Sequence, residues 1–328
     1  METQNREEAL GIVVGVVGLG LMGSSIIASL LLSGHKVIAI APLPADMEGA
    51  EQRIQDQLHH SAKTGLLKEP VEVYISRLVI SEDYSNLKDC SLVMECVIEV
   101  LEIKQEVYKN ISDVIKSDAI IASNTSAIPI STLQKLVSNP ERFLGIHWSE
   151  PAYLTRFLEI TCGILTGLKY AEWVVNISRL WDKEPTLLRK DIRGFITNRL
   201  MYAVYREGLD LIQKGEATIE DVDKAFRYDA GSWMTLMGIF RRMDFLGLQD
   251  SLEVLKNVYP KLCNDETVPA IMQEMVDKQA RGIHNLKGLF EYSEDEAKEW
   301  EAAFAQFNED IFKLAAKYPS SLPVEIKP

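Results

Sequence analysis

The sequence predicts an α/β protein of two domains, a doubly wound sheet over residues 10–190 followed by an all-helical domain over residues 191–328. Two observations predict it. Short β-branched runs alternate with amphipathic stretches of helical period as far as Lys190, and from Asp191 the period stays helical. The composition, 47% hydrophobic and 25% charged over 328 residues, is ordinary for a globular chain of a length that suits two domains. A formal net charge of −13 repels phosphate backbones and argues against a nucleic-acid partner. Any phosphate-bearing ligand must then be held by local geometry.

Ala9 to Gly34 carries no charge and is long enough to cross a bilayer. The glycines inside it favour another reading. A β-branched run leads into Gly18, Leu19, Gly20, Leu21, Met22 and Gly23, a helical stretch ends at Gly34, and a second strand follows from Lys36 to Ile40. In a Gly-x-Gly-x-x-Gly turn between strand and helix, Gly18 makes the tight turn, Gly20 lets backbone approach a pyrophosphate, and Gly23 lets helix pack close to strand. The helix start adds free N–H groups and a positive dipole end. The expectation is a Rossmann-type dinucleotide site and no membrane span, since buried parallel strands also read as continuous apolar runs. The second strand ends at Ala41, where such folds usually place an acid for the ribose hydroxyls. Asp46 could reach back, and the first arginine that could favour a 2′-phosphate is Arg53. NAD is the expected cofactor, with NADP left open.

Further elements follow in order. Glu48 to Lys63 reads as an amphipathic helix and KTGLLKEP as a turn. RLVIS, SLVMEC, AIIASN, RFLGIHW and RFLEITC read as strands, with helices such as Glu102–Ile115 and Ile130–Val137 between them. In the second domain NRLMYAVYREGLDLIQKG, TIEDVDKAF with Thr218 as cap, and SEDEAKEWEAAFAQFNEDIFKLAAK read as helices, and YPSSLPVEIKP as a loose tail. Cys90, Cys96, Cys162 and Cys263 lack metal-ligand spacing and are expected as reduced thiols. The neighbours His59 and His60 point apart on a helix and are expected on a solvated face, so no metal site is predicted. METQNREEAL lacks the basic region of a signal peptide, which predicts a cytoplasmic protein.

One segment concentrates the chemistry. GIHWSEPAYLTRFLEI, Gly145 to Ile160, holds one of only five histidines, with Glu150 and Glu159 as rival partners. His147 ends a strand-like run, where open α/β sheets bind ligands. Glu159 lies in the next run, and the short connection Pro151–Thr155 lets the two return as neighbours. From the residues alone His147 is a working group or a satisfied core histidine. Glu159 is a paired buried carboxylate or the exposed residue of an edge strand. Trp233, Met234 and Met237 line an acyl pocket or pack a core.

GLGLMG, ECVIEVLEIK, SNTSAIPIS, RFLGIHW, LEI, GFITNRL and KGLFEY occur in an order that resembles the L-3-hydroxyacyl-CoA dehydrogenase family, over roughly residues 10 to 295. That family includes 3-hydroxybutyryl-CoA dehydrogenases and relatives acting on small 3-hydroxy acids such as carnitine and gulonate. The resemblance implies an NAD(P)-dependent oxidoreductase of fatty-acid metabolism that moves a hydride to or from the 3-hydroxy or 3-oxo group of an acyl-CoA or small acid. It implies a homodimer that pairs helical domains. It further implies His147 as general base, Glu159 as its partner, and Ser126 and Asn198 on the reacting oxygen. For the cofactor it implies Gly18 to Gly23, the strand end at Ala41, Glu99, Lys104 and Ser126, with Asn124 beside them and Glu150 near the nicotinamide.

The chain departs from the family pattern at several positions. Ala41 replaces the acid, Glu150 a common Asn, Arg193 a common Pro and His284 a common Lys. Gln57 and Lys63 or Thr64 stand where CoA-using members carry serine and lysine. The HWSEPAYL form resembles the small-molecule branch. The alternative reading, from another class, is a non-catalytic nucleotide-binding or structural protein, as the lens crystallins of this family are.

Overall fold

A computed structural model describes residues 11–318, so METQNREEAL and the tail beyond Tyr318 lie outside the described residues. Eight strands form one sheet: β1 (Val13–Val17), β2 (Lys36–Ile40), β3 (Leu78–Ser81), β4 (Cys90–Glu95), β5 (Ile120–Ser123), β6 (Phe143–Trp148), β7 (Phe157–Cys162) and β8 (Glu184–Leu188). Their order across the sheet is β3, β2, β1, β4, β5, β6, β7, β8. Every neighbouring pair is parallel except β6 and β7, which the short Ser149–Arg156 connection turns back antiparallel. The order reverses between β1 and β4, and that switch point opens the crevice in which doubly wound sheets bind ligands.

Both faces of the sheet are covered, which is why its strands read as unbroken apolar runs. On one face α1 (Leu21–Leu32) packs Ile26, Ile27, Leu30 and Leu31 against Val14 and Val16, and α2 (Ala50–Lys63) adds Ile54 and Leu58. On the other, α3 (Leu101–Ser112) sets Val107, Tyr108 and Ile111 against Val17, Val93, Ile121 and Phe143, while α4 (Leu168–Ser178) adds Ala171, Val174 and Ile177 to the first cluster. Each fully buried side chain of this size contributes on the order of 2 kcal/mol. The uncharged stretch Ala9–Gly34 is thereby resolved over its described part into strand, glycine turn and helix. Among the described residues no helix is long and apolar enough to cross a membrane.

Three expectations change. The helix expected over Glu48–Lys63 begins two residues later, as α2, because Gly49 at φ +68 stands at its cap and separates it from an unforeseen short helix, Pro44–Met47. β8 and a short helix, Val71–Ile75, were not foreseen; EPTLL begins with a charge and a proline and carries no alternation. The histidine pair is not jointly solvated: His59 is exposed, but His60 Nδ1 lies 3.1 Å from the Tyr153 hydroxyl, because position 60 borders the buried Ile54–Leu58–Ser61 stripe.

The chain divides into two compact units, one ending at Ile196 and one beginning at Thr197. The segment after β8 stays with the sheet, where Asp191 Oδ2 accepts the Ser131 N–H at 2.7 Å and Phe195 is buried. The second unit is helical. Its α5 (Thr197–Gln213), α6 (Ile219–Ala225) and α7 (Glu294–Lys317) match the expected helices. Thr218 caps α6 by accepting the Asp221 N–H, and Ser293 with Glu296 forms a reciprocal capping box on α7.

Candidate active site

The first half of the site is the turn from β1 to α1. Gly18 has φ +99, and a Cβ there would meet the Cys96 carbonyl at 2.8 Å; a Cβ on Gly23 would meet the Gly18 carbonyl at 1.8 Å. Helix and turn therefore touch backbone to backbone. A Cβ on Gly20 would meet nothing within 4 Å. The α1 start has no side-chain cap and no acid in its first turn, so its N–H groups remain open to an anion. These residues fit the pyrophosphate of a dinucleotide. Leu19 is buried, Leu21 exposed and Met22 half-buried. The Leu19 carbonyl accepts from Ser24 Oγ at 3.0 Å and Arg53 Nη2 at 2.8 Å. Ala41 follows β2 as a buried residue whose N–H donates to the Ser81 carbonyl.

The strand ends beside this turn are tied together. Cys96 N–H donates to Val17, Asn124 N–H to Glu95, and Trp148 N–H to Asn124 Oδ1 at 3.0 Å, linking β1, β4, β5 and β6. At the end of β4 lies a group that the sequence reading passed over. Glu95 is wholly buried and accepts four hydrogen bonds of 2.7 Å, from Val97 N–H, Lys104 Nζ, Tyr108 Oη and Ser123 Oγ. Burial, and next to it the Glu95 charge, push the Tyr108 phenol well up, which keeps it a neutral donor. Lys104 is buried with its ammonium 3.4 Å from Glu99 Oε2. Glu99 in turn accepts from Thr125 Oγ1 and from Ser126 N–H at 2.9 Å. Lys104 thus faces inward and braces Glu99 and the Asn124–Ser126 turn, while the Ser126 side chain is exposed. The only sequence signal for Glu95 was a carboxylate at the end of an apolar strand, which demands partners.

His147 and Glu159 form the second half. They are directly opposed in the antiparallel β6–β7 register, and such pairs bring side chains together. Glu159 is wholly buried, and Glu159 Oε2 lies 3.5 Å from His147 Nδ1, an ion-pair approach. Oε1 accepts the Ile196 N–H at 2.7 Å. Among the described residues neither Nδ1 nor Oε2 has a hydrogen-bond partner. Phe157 and Phe195 flank the imidazole, with centroids 6.3 and 5.7 Å away. Glu150, the nearer carboxylate in sequence, is exposed on the loop after Trp148. Asn198 lies half-buried in the first turn of α5, in the helical unit.

Lys183 holds the loop between the dyad strands. Its buried ammonium donates to the carbonyls of Ala152 and Thr155 and sits 5.3 Å from the centre of the Trp148 ring. Ala152 N–H also donates to Ser25 Oγ on α1 at 2.7 Å. Burial pushes the Lys183 ammonium down from 10.5 to about 7, with Asp182 opposing the shift and Arg156 adding to it. The unfolded chain keeps this proton up to the ordinary lysine value, so the penalty of burying charge is complete below about pH 7 and fades above it. Between pH 7 and 10 the wild type is expected to gain a few kcal/mol of stability relative to Lys183→Met. Urea unfolding of both proteins at the two pH values checks this; parallel pH dependence would refute it.

The described cysteines are free thiols. Burial pushes Cys90 up to about 12 and raises Cys96 and Cys162, so all three stay protonated and unreactive at neutral pH.

Comparison with known proteins agrees with this architecture. Residues 13–192 match the 3-hydroxyacyl-CoA dehydrogenase NAD-binding domain and residues 194–292 the C-terminal domain of the same family. The 5-formyl-3-hydroxy-2-methylpyridine 4-carboxylate 5-dehydrogenase of Mesorhizobium japonicum is 30% identical over 294 residues, 89% of this chain and 94% of the relative. The L-carnitine dehydrogenase of Oceanobacillus iheyensis is 34% identical over 71% of this chain and 76% of its own. Among solved structures, an NAD+-dependent dismutase, the 5-dehydrogenase of the same pyridine acid, superposes with TM-score 0.86 at 28% identity, covering 94% of this chain and all of the other. The (S)-3-hydroxybutyryl-CoA dehydrogenase of Ralstonia eutropha gives TM-score 0.71 at 26% identity, over 86% and 99%. With both domains matched, the chain belongs to the 3-hydroxyacyl-CoA dehydrogenase family and is an NAD-dependent oxidoreductase of that kind.

Proposed function

We propose that this oxidoreductase interconverts a 3-hydroxy and a 3-oxo group on a small acid or acyl thioester, with His147 as the proton shuttle and Glu159 as its partner. The observation that carries the reading is the cross-strand pair itself: an imidazole at the ligand end of β6, opposite a wholly buried carboxylate with one oxygen still unbonded. An imidazole is the side chain suited to taking and returning a proton in this step. A carboxylate at Nδ1 fixes the tautomer, leaving Nε2 for the substrate, and stabilises the imidazolium once formed. When bound, NAD accepts or returns the hydride. Gly18 to Gly23 would hold its pyrophosphate, with Glu99 and Ser126 beside the reactive end and the buried Lys104 bracing Glu99 from behind. Ser126 and Asn198 are assigned to the substrate oxygen by family resemblance, where donors would support developing charge.

The matched relatives named for a pyridine carboxylate and for carnitine favour a small acid over a thioester. We assign cofactor binding to residues 10–190, and substrate contacts and dimerisation to residues 191–328, in a cytoplasmic protein. Self-association is supported by α5, α6 and the helices Ile239–Leu246, Leu248–Val258 and Ala270–Asp277, which bury no residue while Leu200, Tyr202, Phe240, Phe245 and Leu248 stand exposed. Sedimentation at one chain mass would refute the dimer. A panel of 3-oxo acids and acetoacetyl-CoA, assayed with NADH and NADPH, tests the activity. Turnover of at least one substrate is expected. Inertness throughout, with dinucleotide still bound, would move the reading to a nucleotide-binding member, which the missing acid at Ala41 favours.

A further inference from the structure

Phe195 adopts φ +50, a left-handed backbone that bulky side chains rarely take, directly after Gly194 at φ +82. It is nevertheless buried, at 2% exposure, with its ring tilted 55° against that of His147. The next N–H in the chain, that of Ile196, is the one that reaches Glu159 Oε1. Strained conformations persist where surrounding structure over-determines them, and they gather at functional sites.

We propose that Phe195 is the positioning residue of the dyad: its left-handed turn, pinned by the buried ring, directs Ile196 N–H onto one oxygen of Glu159 and leaves the other facing His147 Nδ1. The inference rests on the dyad reading above. Glu159 stands on a strand whose register already places it opposite His147, but register does not choose how its carboxylate is rotated. The Ile196 N–H makes that choice by occupying Oε1, a charge-assisted bond that fixes the group. The same ring also walls one side of the imidazole, with Phe157 edge-on at 86°. One residue thereby constrains both partners, one through its side chain and one through its backbone. Phe195 needs no contact with substrate or cofactor for this role. Glycine at 195 would ease the backbone and remove the ring, so the role is not one that conformational freedom supplies.

The test uses full-length protein labelled with 15N-histidine, with the His147 resonances assigned by their loss in His147→Gln. In Phe195→Ala the Nδ1 resonance of His147 is expected to move from its wild-type position toward that seen in Glu159→Gln. On a substrate found in the panel, kcat should fall about tenfold or more, the scale expected when a catalytic group is misplaced. KM and NADH affinity should stay within about twofold, since neither ligand is touched. Phe195→Leu, which keeps bulk in the pocket, should recover part of both effects. A folded Phe195→Ala with wild-type Nδ1 resonance and kcat would overturn the proposal and leave Phe195 as core packing. If the alanine variant does not fold, an Nδ1 resonance and kcat in Phe195→Leu unchanged from wild type would overturn it equally. The dyad reading fails on a different result, His147→Gln retaining full turnover.

Discussion

His147→Ala is expected to lower kcat by about a hundred- to ten-thousandfold, the usual contribution of a positioned general acid–base. NADH affinity should change little, because the cofactor turn of Gly18–Gly23 lies on another strand end. The folded state should also survive. The imidazole is 13% exposed and its Nδ1 makes no hydrogen bond that the fold depends on. Glu159→Gln should behave differently, because it removes a buried charge that accepts the Ile196 N–H and so touches structure as well as chemistry. Steady-state kinetics and fluorescence titration with NADH separate the two effects. Near-wild-type turnover in His147→Ala would show that the histidine is a core residue after all.

Gly23→Ala is expected to abolish measurable NADH binding and to lower stability by several kcal/mol. The added Cβ would lie 1.8 Å from the Gly18 carbonyl, and the obstacle is backbone on both sides, so no rotamer relieves it. Either α1 moves off the sheet or the turn opens, and both spoil the cradle. Gly20→Ala makes the control, since its Cβ meets nothing within 4 Å. It should leave thermal unfolding nearly unchanged and weaken NADH only where the ligand approaches the chain. If both alanine variants bind NADH and melt alike, close backbone packing is not what selects glycine at position 23.

Much of the architecture was legible in the sequence because its determinants are local. β2 was read at its observed bounds, Lys36–Ile40, from a β-branched run after Gly34, and the start of α6 from the side chain that caps it, Thr218. A turn glycine, a cap or an alternation acts over a few residues, so a short window of sequence holds the whole cause. The strand holding Glu159 was legible too, and its pairing with β6 followed from a short connection. What β7 would do with its carboxylate was not. Glu150 and Glu159 are equally acidic in sequence; pairing opposite His147 buries one, and the loop leaves the other in solvent. The same holds for Glu95, whose four donors come from separate segments of chain, for Lys183, whose ammonium is pushed down by the burial that folding imposes on it, and for β8, which has no pattern of its own until β7 supplies an edge to pair with. Local propensity determined which segments became strand, turn or helix. Desolvation and long-range pairing, which exist only once the segments have packed, decided which polar groups stand together and at what charge.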